Sequence, residues 1–281
     1  MDRISAESIT LGKSSPIEGW TVVMNRRKKR RNKDLPKSGN PNPPEVQPAS
    51  VVDLEVNPER ESRLLQKMML YIKKVETSDF YSTFIHQIGS PEVQNSILRD
   101  LNGESKMKMV IYGIGSIESY ESPRLQLSLA ILMKKSLGWI GDVEVFDPII
   151  SLTESRVMET LGCSVLSVNE EGRREAVEKV LFFMPHCDSD LYDHLLETNW
   201  GLEKLKNIII LGNSFEKYEQ HALLMRNPDT LNSRKHILAA MKFTKEVKIN
   251  SVLDAFHDLS WHSFHIIHTH LLQLSSIQSV N

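Results

Sequence analysis

The sequence predicts an α/β fold: a doubly wound, mostly parallel sheet of about five or six strands, preceded by helices and a disordered N-terminal tail. Three observations carry this prediction. After Gly103, short apolar runs alternate with segments of helical length, a spacing that implies parallel strands joined by right-handed crossovers. The first run, MKMVIY, ends in Gly-Ile-Gly-Ser and is followed by a long amphipathic segment, the outline of a strand, tight loop and helix. The later runs also end in small or polar residues, on the side where such sheets bind ligands. The architecture is therefore Rossmann-like.

Residues 1–56 read as a tail. Residues 1–34 hold nine Lys/Arg against four Asp/Glu, a net +5 that leaves −7 for the remainder. The block Arg26, Arg27, Lys28, Lys29, Arg30 and Arg31 is followed by five prolines between Pro36 and Pro48. Such a stretch buries too little apolar surface to offset the entropy of ordering. One apolar island, GWTVV at 19–23, interrupts it, a patch for docking on the domain or on a partner.

A single domain is predicted over 57–281. Asn57 and Pro58 supply an N-cap and a first helical residue, and Leu64, Leu65, Met68, Met69 and Ile72 then share one helical face. Further helices are predicted at 79–88 and 91–101. Strands follow at 107–112, 142–147, 163–168, 179–185 and 207–215, with helices at 123–137, 152–162, 171–178 and 189–199 between them. EVKI, 246–249, reads as an edge strand and LSWHSFHIIHTHLLQL, 259–274, as a C-terminal helix.

Composition narrows the function classes. Two cysteines, Cys163 and Cys187, make neither a disulfide framework nor a metal spacing, which suits a reducing intracellular compartment. No apolar run approaches the ~18–20 residues of a membrane span, and the N-terminus lacks a secretory apolar core, so no membrane association is expected.

The predicted carboxyl rim gathers Gly113, Gly115 and Ser116 after the first strand and Asp147 after the second. His186 follows the fourth strand and Asn213 ends the fifth. A dinucleotide fingerprint would need a third glycine where Glu118 stands, and Pro123 is expected to delay the helix. No Gly-Lys-Ser/Thr follows, so the loop is not a Walker loop. Arg124, expected in an exposed first helical turn, can pair with a phosphate or with Glu121, and Asp147 stands where an acidic residue meets a ribose hydroxyl. The glycines equally serve a tight turn, and both readings stand.

The blocks VIYGIGSIESYESPRLQLSLAILM, DPIISLTESRVMETLGCSVLSVNEEGRR and LFFMPHCDSDLYDHLLETNW resemble the Sensitivity to Red Light Reduced family. GWTVV before a basic run and AFHDLSWHSF near the end resemble its plant members, and the likeness spans roughly 60–270. It implies a regulatory module in circadian clock function and phytochrome B red-light signalling, affecting photoperiod and flowering time, placed in nucleus and cytoplasm. Relatives are linked to microtubule stability and to haem biosynthesis. The resemblance carries over no catalytic residue and no cofactor. Its matched positions, Gly113, Gly115, Ser116, Glu121, Ser122, Arg124, Asp147, Pro185, His186 and Asn213, are candidates for a ligand or partner rim. The alternative class is a nucleotide- or small-molecule-binding enzyme or sensor using the Gly-Ile-Gly-Ser loop, with a link to haem metabolism.

Six consecutive cations in an exposed tail suit nuclear import machinery, while the acidic folded part argues against a nucleic-acid partner. Protein partners are expected. Five of ten histidines, His257, His262, His265, His268 and His270, lie in the last 25 residues. On a helix His262 and His265 would share a face, but no carboxylate or cysteine completes a metal set, and no metal is expected. Cys187 beside His186 is no catalytic pair, since neighbouring strand residues face opposite ways.

Overall fold

Asn57 and Pro58 begin the first helix as their chemistry requires. The computed structural model describes residues 57–97, 106–225, 231 and 233–266, all within the compact unit Pro48–Asn281. In α1, Pro58–Glu76, the Asn57 side chain accepts the Arg60 amide at 3.0 Å, and Leu64, Met68 and Val75 are buried. Ser78 caps α2, Asp79–Ile88, through the Tyr81 amide. The segment predicted at 91–101 is helical as α3, Pro91–Ile97, and its remainder lies outside the described residues.

The alternating region then builds one sheet. Its elements are β1 Met107–Tyr112, α4 Glu121–Ser136, β2 Ile140–Phe146, α5 Leu152–Thr160, β3 Ser164–Val165 and β4 Val180–Met184. They continue as α6 Ser189–Thr198, α7 Leu202–Leu205, β5 Ile208–Asn213, α8 Phe215–Met225, α9 Lys235–Ala240, β6 Thr244–Lys248 and β7 Leu259–Phe264. The strand order is β3-β2-β1-β4-β5-β7-β6. The first five strands are parallel, with Met109 beside both Val143 and Leu181. Strand β7 runs antiparallel to both β5 and β6. The order reverses between β1 and β4, so the crevice of a doubly wound sheet opens above those two strands.

Both faces are covered, which is why the central strands carry apolar residues on successive positions. Met109, Ile111, Leu181, Phe183, Ile209 and Leu211 pack with residues of α1, α2, α4 and α5. Val110, Tyr112, Phe182, Met184 and Ile210 pack with residues of α6, α8 and α9.

The structure corrects the sequence reading at four places. The predicted C-terminal helix begins as strand β7, giving seven strands rather than five or six; residues 267–281 lie outside the description. Its six residues are buried throughout, and their backbone closes the edge of β5 that a helix would leave open. The predicted helix at 171–178 is irregular chain. Glu171 and Gly172 are left-handed there, with φ of 51° and 76°. Asn199 takes over the role of helical bonding, accepting the Ala176 amide and donating to the Arg174 carbonyl. Strand β3 has two residues, not six. Helix α4 starts at Glu121, so Pro123 sits in its first turn, where no amide is required, and does not delay it.

Because β7 lies between β5 and β6, its removal strips the edge of β5 and detaches β6. A chain ending at Asp258 is expected to lose its cooperative thermal transition in calorimetry. A transition retained at the native temperature would contradict this topology.

Candidate functional site

The loop after β1 turns on two left-handed glycines, Gly113 with φ of 67° and Gly115 with φ of 75°. At Gly113 a side chain is also excluded by space, since a Cβ there would lie 2.6 Å from Cys187 Sγ. Cys187 is buried, donates to the Tyr112 carbonyl at 3.2 Å, and has its thiol pushed far up by burial, which makes it a plug over the crevice rather than a nucleophile.

Two of the loop's amides, Gly115 and Glu118, are held by carboxylates. Asp147 Oδ2 accepts the Gly115 amide at 2.8 Å, while its Oδ1 accepts the Ile149 amide at 3.0 Å. Glu154 Oε1 accepts the Ser116 hydroxyl at 2.6 Å and the Glu118 amide at 3.0 Å. Its Oε2 accepts the Ser151 amide, completing a capping box at the start of α5. Arg124 is only 6% exposed. Its Nη1 donates to the carbonyls of Ile117 and Glu118, and its guanidinium lies 4.9 Å from the centre of the Tyr71 ring. Glu118 is held by Arg60 at 2.6 Å, and exposed Glu121 by Lys74 at 2.8 Å.

The second half of the rim lies at the ends of β4 and β5. His186 is exposed and left-handed, with φ of 58°. Its amide donates to Asn213 Oδ1 at 2.7 Å, which holds the turn. Asn213 Nδ2 donates to the Tyr218 hydroxyl at 2.8 Å and the Cys187 carbonyl at 3.2 Å. The Tyr192 hydroxyl accepts the Asn213 amide at 2.8 Å and donates to the Met184 carbonyl. Burial raises both tyrosines, so they remain neutral hydrogen-bonding groups. Nearby, Gln126 is 3% exposed and donates to the Ala255 carbonyl at 2.9 Å.

A third carboxylate closes the start of α8. Glu246 on β6 accepts the Phe215 amide at 3.2 Å, the position an anion would take at a helix N-terminus. Burial by itself would raise this carboxyl from 4.5. The His262 ring and the hydroxyls of Ser214 and Ser260 more than reverse that and hold it at about 2.

Gly113, Gly115, Ser116 and Asp147 thus come together in one loop system, and His186 meets Asn213 in another. Arg124 faces inward instead of offering its charge to a phosphate, because the two carbonyls it binds lie beneath the loop. Glu121 and Ser122 stand at the start of α4, where Glu121 pairs with a lysine rather than with Arg124. Glu154, Glu246, Tyr192, Tyr218 and Gln126 escaped sequence reasoning. Only Glu154 left a local signal, the Ser-x-x-Glu spacing of a capping box from Ser151. His262 and His265 stand three apart near the end of β7 instead of sharing a helix face. His268, His270, the GWTVV segment and the basic block at 26–31 lie outside the described residues. Among the described residues no group of three or more His, Cys, Asp or Glu is placed to hold a metal, and no helix is long and apolar enough to cross a membrane.

The profile of the SRR1 domain family matches residues 55–263. Protein SENSITIVITY TO RED LIGHT REDUCED 1 of Arabidopsis thaliana is 48% identical over 261 residues, covering 91% of this chain and 94% of that protein. An SRR1-like protein of Mus musculus is 40% identical over 121 residues, 42% of this chain and 49% of the relative. Among solved structures, the plantazolicin methyltransferase BpumL in complex with SAH and a desmethylPZN analog covers 74% of this chain and 98% of its own, at 12% identity and a TM-score of 0.36. A likeness that remote bears on neither ligand nor activity.

The Glu246 carboxyl makes stability pH-dependent with a definite sign. Its folded value lies below the ordinary one, so its contribution is full above about pH 4.5 and is lost as pH falls toward 2. Glu246→Gln is expected to cost about 3 kcal/mol at neutral pH and only a small fraction of that near pH 2, read from urea unfolding across that range. An equal cost at both pH values would contradict the assignment.

Proposed function

The chain belongs to the SRR1 domain family, and from that premise we propose a non-enzymatic regulator of red-light signalling and circadian clock function. It acts in the phytochrome B branch, with effects on photoperiod and flowering time, through protein partners or a small ligand. The observation that carries this reading is the 48% identity to the Arabidopsis protein along almost the whole of both chains. The rim supports it: its amides at Gly115, Glu118 and Phe215 already bind the protein's own carboxylates, which leaves little there for phosphate capture. The proposed contact face is the β4–β5 half, because His186 stands there at the surface in a left-handed conformation, with its ring 3.5 Å from the Gln126 side chain. Nuclear entry is proposed through residues 26–31, with protein in both nucleus and cytoplasm.

Expression in Arabidopsis plants lacking their own relative tests the proposal. Native chain is expected to restore red-light inhibition of hypocotyl growth; normal accumulation without restoration would overturn the reading. His186→Gly relieves the left-handed strain and is expected to raise Tm by about 2–4 °C while failing to restore the response. Full restoration by that variant would remove His186 from the contact face. Replacing the six cations with Ala in a fusion too large for passive entry is expected to clear the nuclear signal, and an unchanged signal would sink the import route.

A further inference from the structure

The His186 ring stands where α4 meets the loop between β6 and β7. Its Nδ1 lies 3.5 Å from the side-chain nitrogen of Gln126, and the ring also bonds the His257 backbone. Gln126 is 3% exposed, and the same nitrogen donates to the Ala255 carbonyl of the loop at 2.9 Å. The loop has its own anchor, since Phe256 is fully buried with its ring stacked on Phe80, centres 4.4 Å apart.

Chemistry sets which atoms face one another. A carbonyl only accepts, so Ala255 fixes the Gln126 amide with its NH2 group toward the loop, and the second hydrogen of that group is left for Nδ1. That contact is long, and it is attractive only while Nδ1 carries no proton. The neutral ring then holds its hydrogen on Nε2, which suits donation to the His257 carbonyl. A proton on Nδ1 sets donor against donor. Gln126 cannot answer by turning over, because its oxygen would then face the Ala255 carbonyl.

The charges around the ring supply a second position. The carboxylates of Asp258 and Asp254 attract a charged ring, while His257 opposes it. Asp258 is shared, with His257 at 3.2 Å and Lys217 at 3.8 Å, and Asp188 lies two residues along the segment that carries His186. Although His186 is at the surface, the crowding of its ring outweighs these attractions and holds the imidazole below its ordinary 6.5. We propose that His186 is a proton-operated latch: neutral, its ring rests against Gln126 on α4; protonated, it leaves Gln126 and turns toward Asp254 and Asp258. The loop stays in place and the ring moves. The β4–β5 half of the rim thereby has two forms, and a partner that recognises the neutral one is released as pH falls below about 6.5. That last consequence rests on the contact face proposed above; the latch itself does not.

Nuclear magnetic resonance of the labelled full chain between about pH 5 and pH 8 tests the latch. The His186 signals are identified by their loss in His186→Asn, an exchange that a left-handed backbone accepts. The expected results are a neutral ring protonated at Nε2, a midpoint below 6.5, and loss of the ring-to-Gln126 contact through that same midpoint. A neutral ring protonated at Nδ1, a midpoint at 6.5 or higher, or a contact that persists in the protonated form would overturn the proposal. Gln126→Ala removes the opposing donor and is expected to raise the His186 midpoint toward 6.5; an unchanged or lower midpoint would also overturn it. No partner enters these measurements, so their failure is distinct from a failure to restore the red-light response.

Discussion

The bond from the Gly115 amide to Asp147 is the contact around which the rim is organised. It crosses from β1 to β2, fixes the tight turn in which both glycines are left-handed, and fills an amide that a doubly wound sheet normally leaves for its ligand. Glu154 repeats the arrangement from α5, and Glu246 does so at the start of α8. In each case a neighbouring element supplies the anion that holds the loop or helix start. Negative charge at these positions also repels phosphate at short range.

This self-sufficiency moves attention toward the other half of the rim. There the backbone is strained at His186, and a connected set of neutral groups, Asn213, Tyr218 and Tyr192, keeps it so. That left-handed turn at the surface is the reason this half is proposed as the contact face. The antiparallel hairpin of β6 and β7 buttresses this half, since Ser214 donates its amide to the Asp258 carbonyl at 2.9 Å just before β7 begins.

The sequence made the parallel core legible because its signals are local. Apolar runs of strand length, Asn57-Pro58 at a helix start and Gly-Ile-Gly-Ser at a strand end each carry their own physics. Three features were out of reach for one reason: their cause is distant in sequence. LSWHSF has apolar residues that suit a helix, and only the open edges of β5 and β6 make it a strand. The chain at 171–178 gives up helical bonding because Asn199 supplies alternatives. Arg124 looks like an exposed cation until the loop carbonyls of Ile117 and Glu118 are folded over it. The strand-end rule anticipates which residues gather at the carboxyl ends of the strands, but the character of that edge depends on Asp147, Glu154 and Glu246 reaching across the sheet, which no spacing encodes.

The claim that the rim is filled by the protein's own carboxylates is tested most directly by calorimetry of the full chain with millimolar ATP, NAD or pyrophosphate. A ligand that binds only the native state must raise the melting temperature in proportion to its occupancy. The account predicts an unchanged melting temperature with all three. A saturable rise with any of them would contradict it, because phosphate would then be displacing carboxylates that the structure places on the Gly115, Glu118 and Phe215 amides.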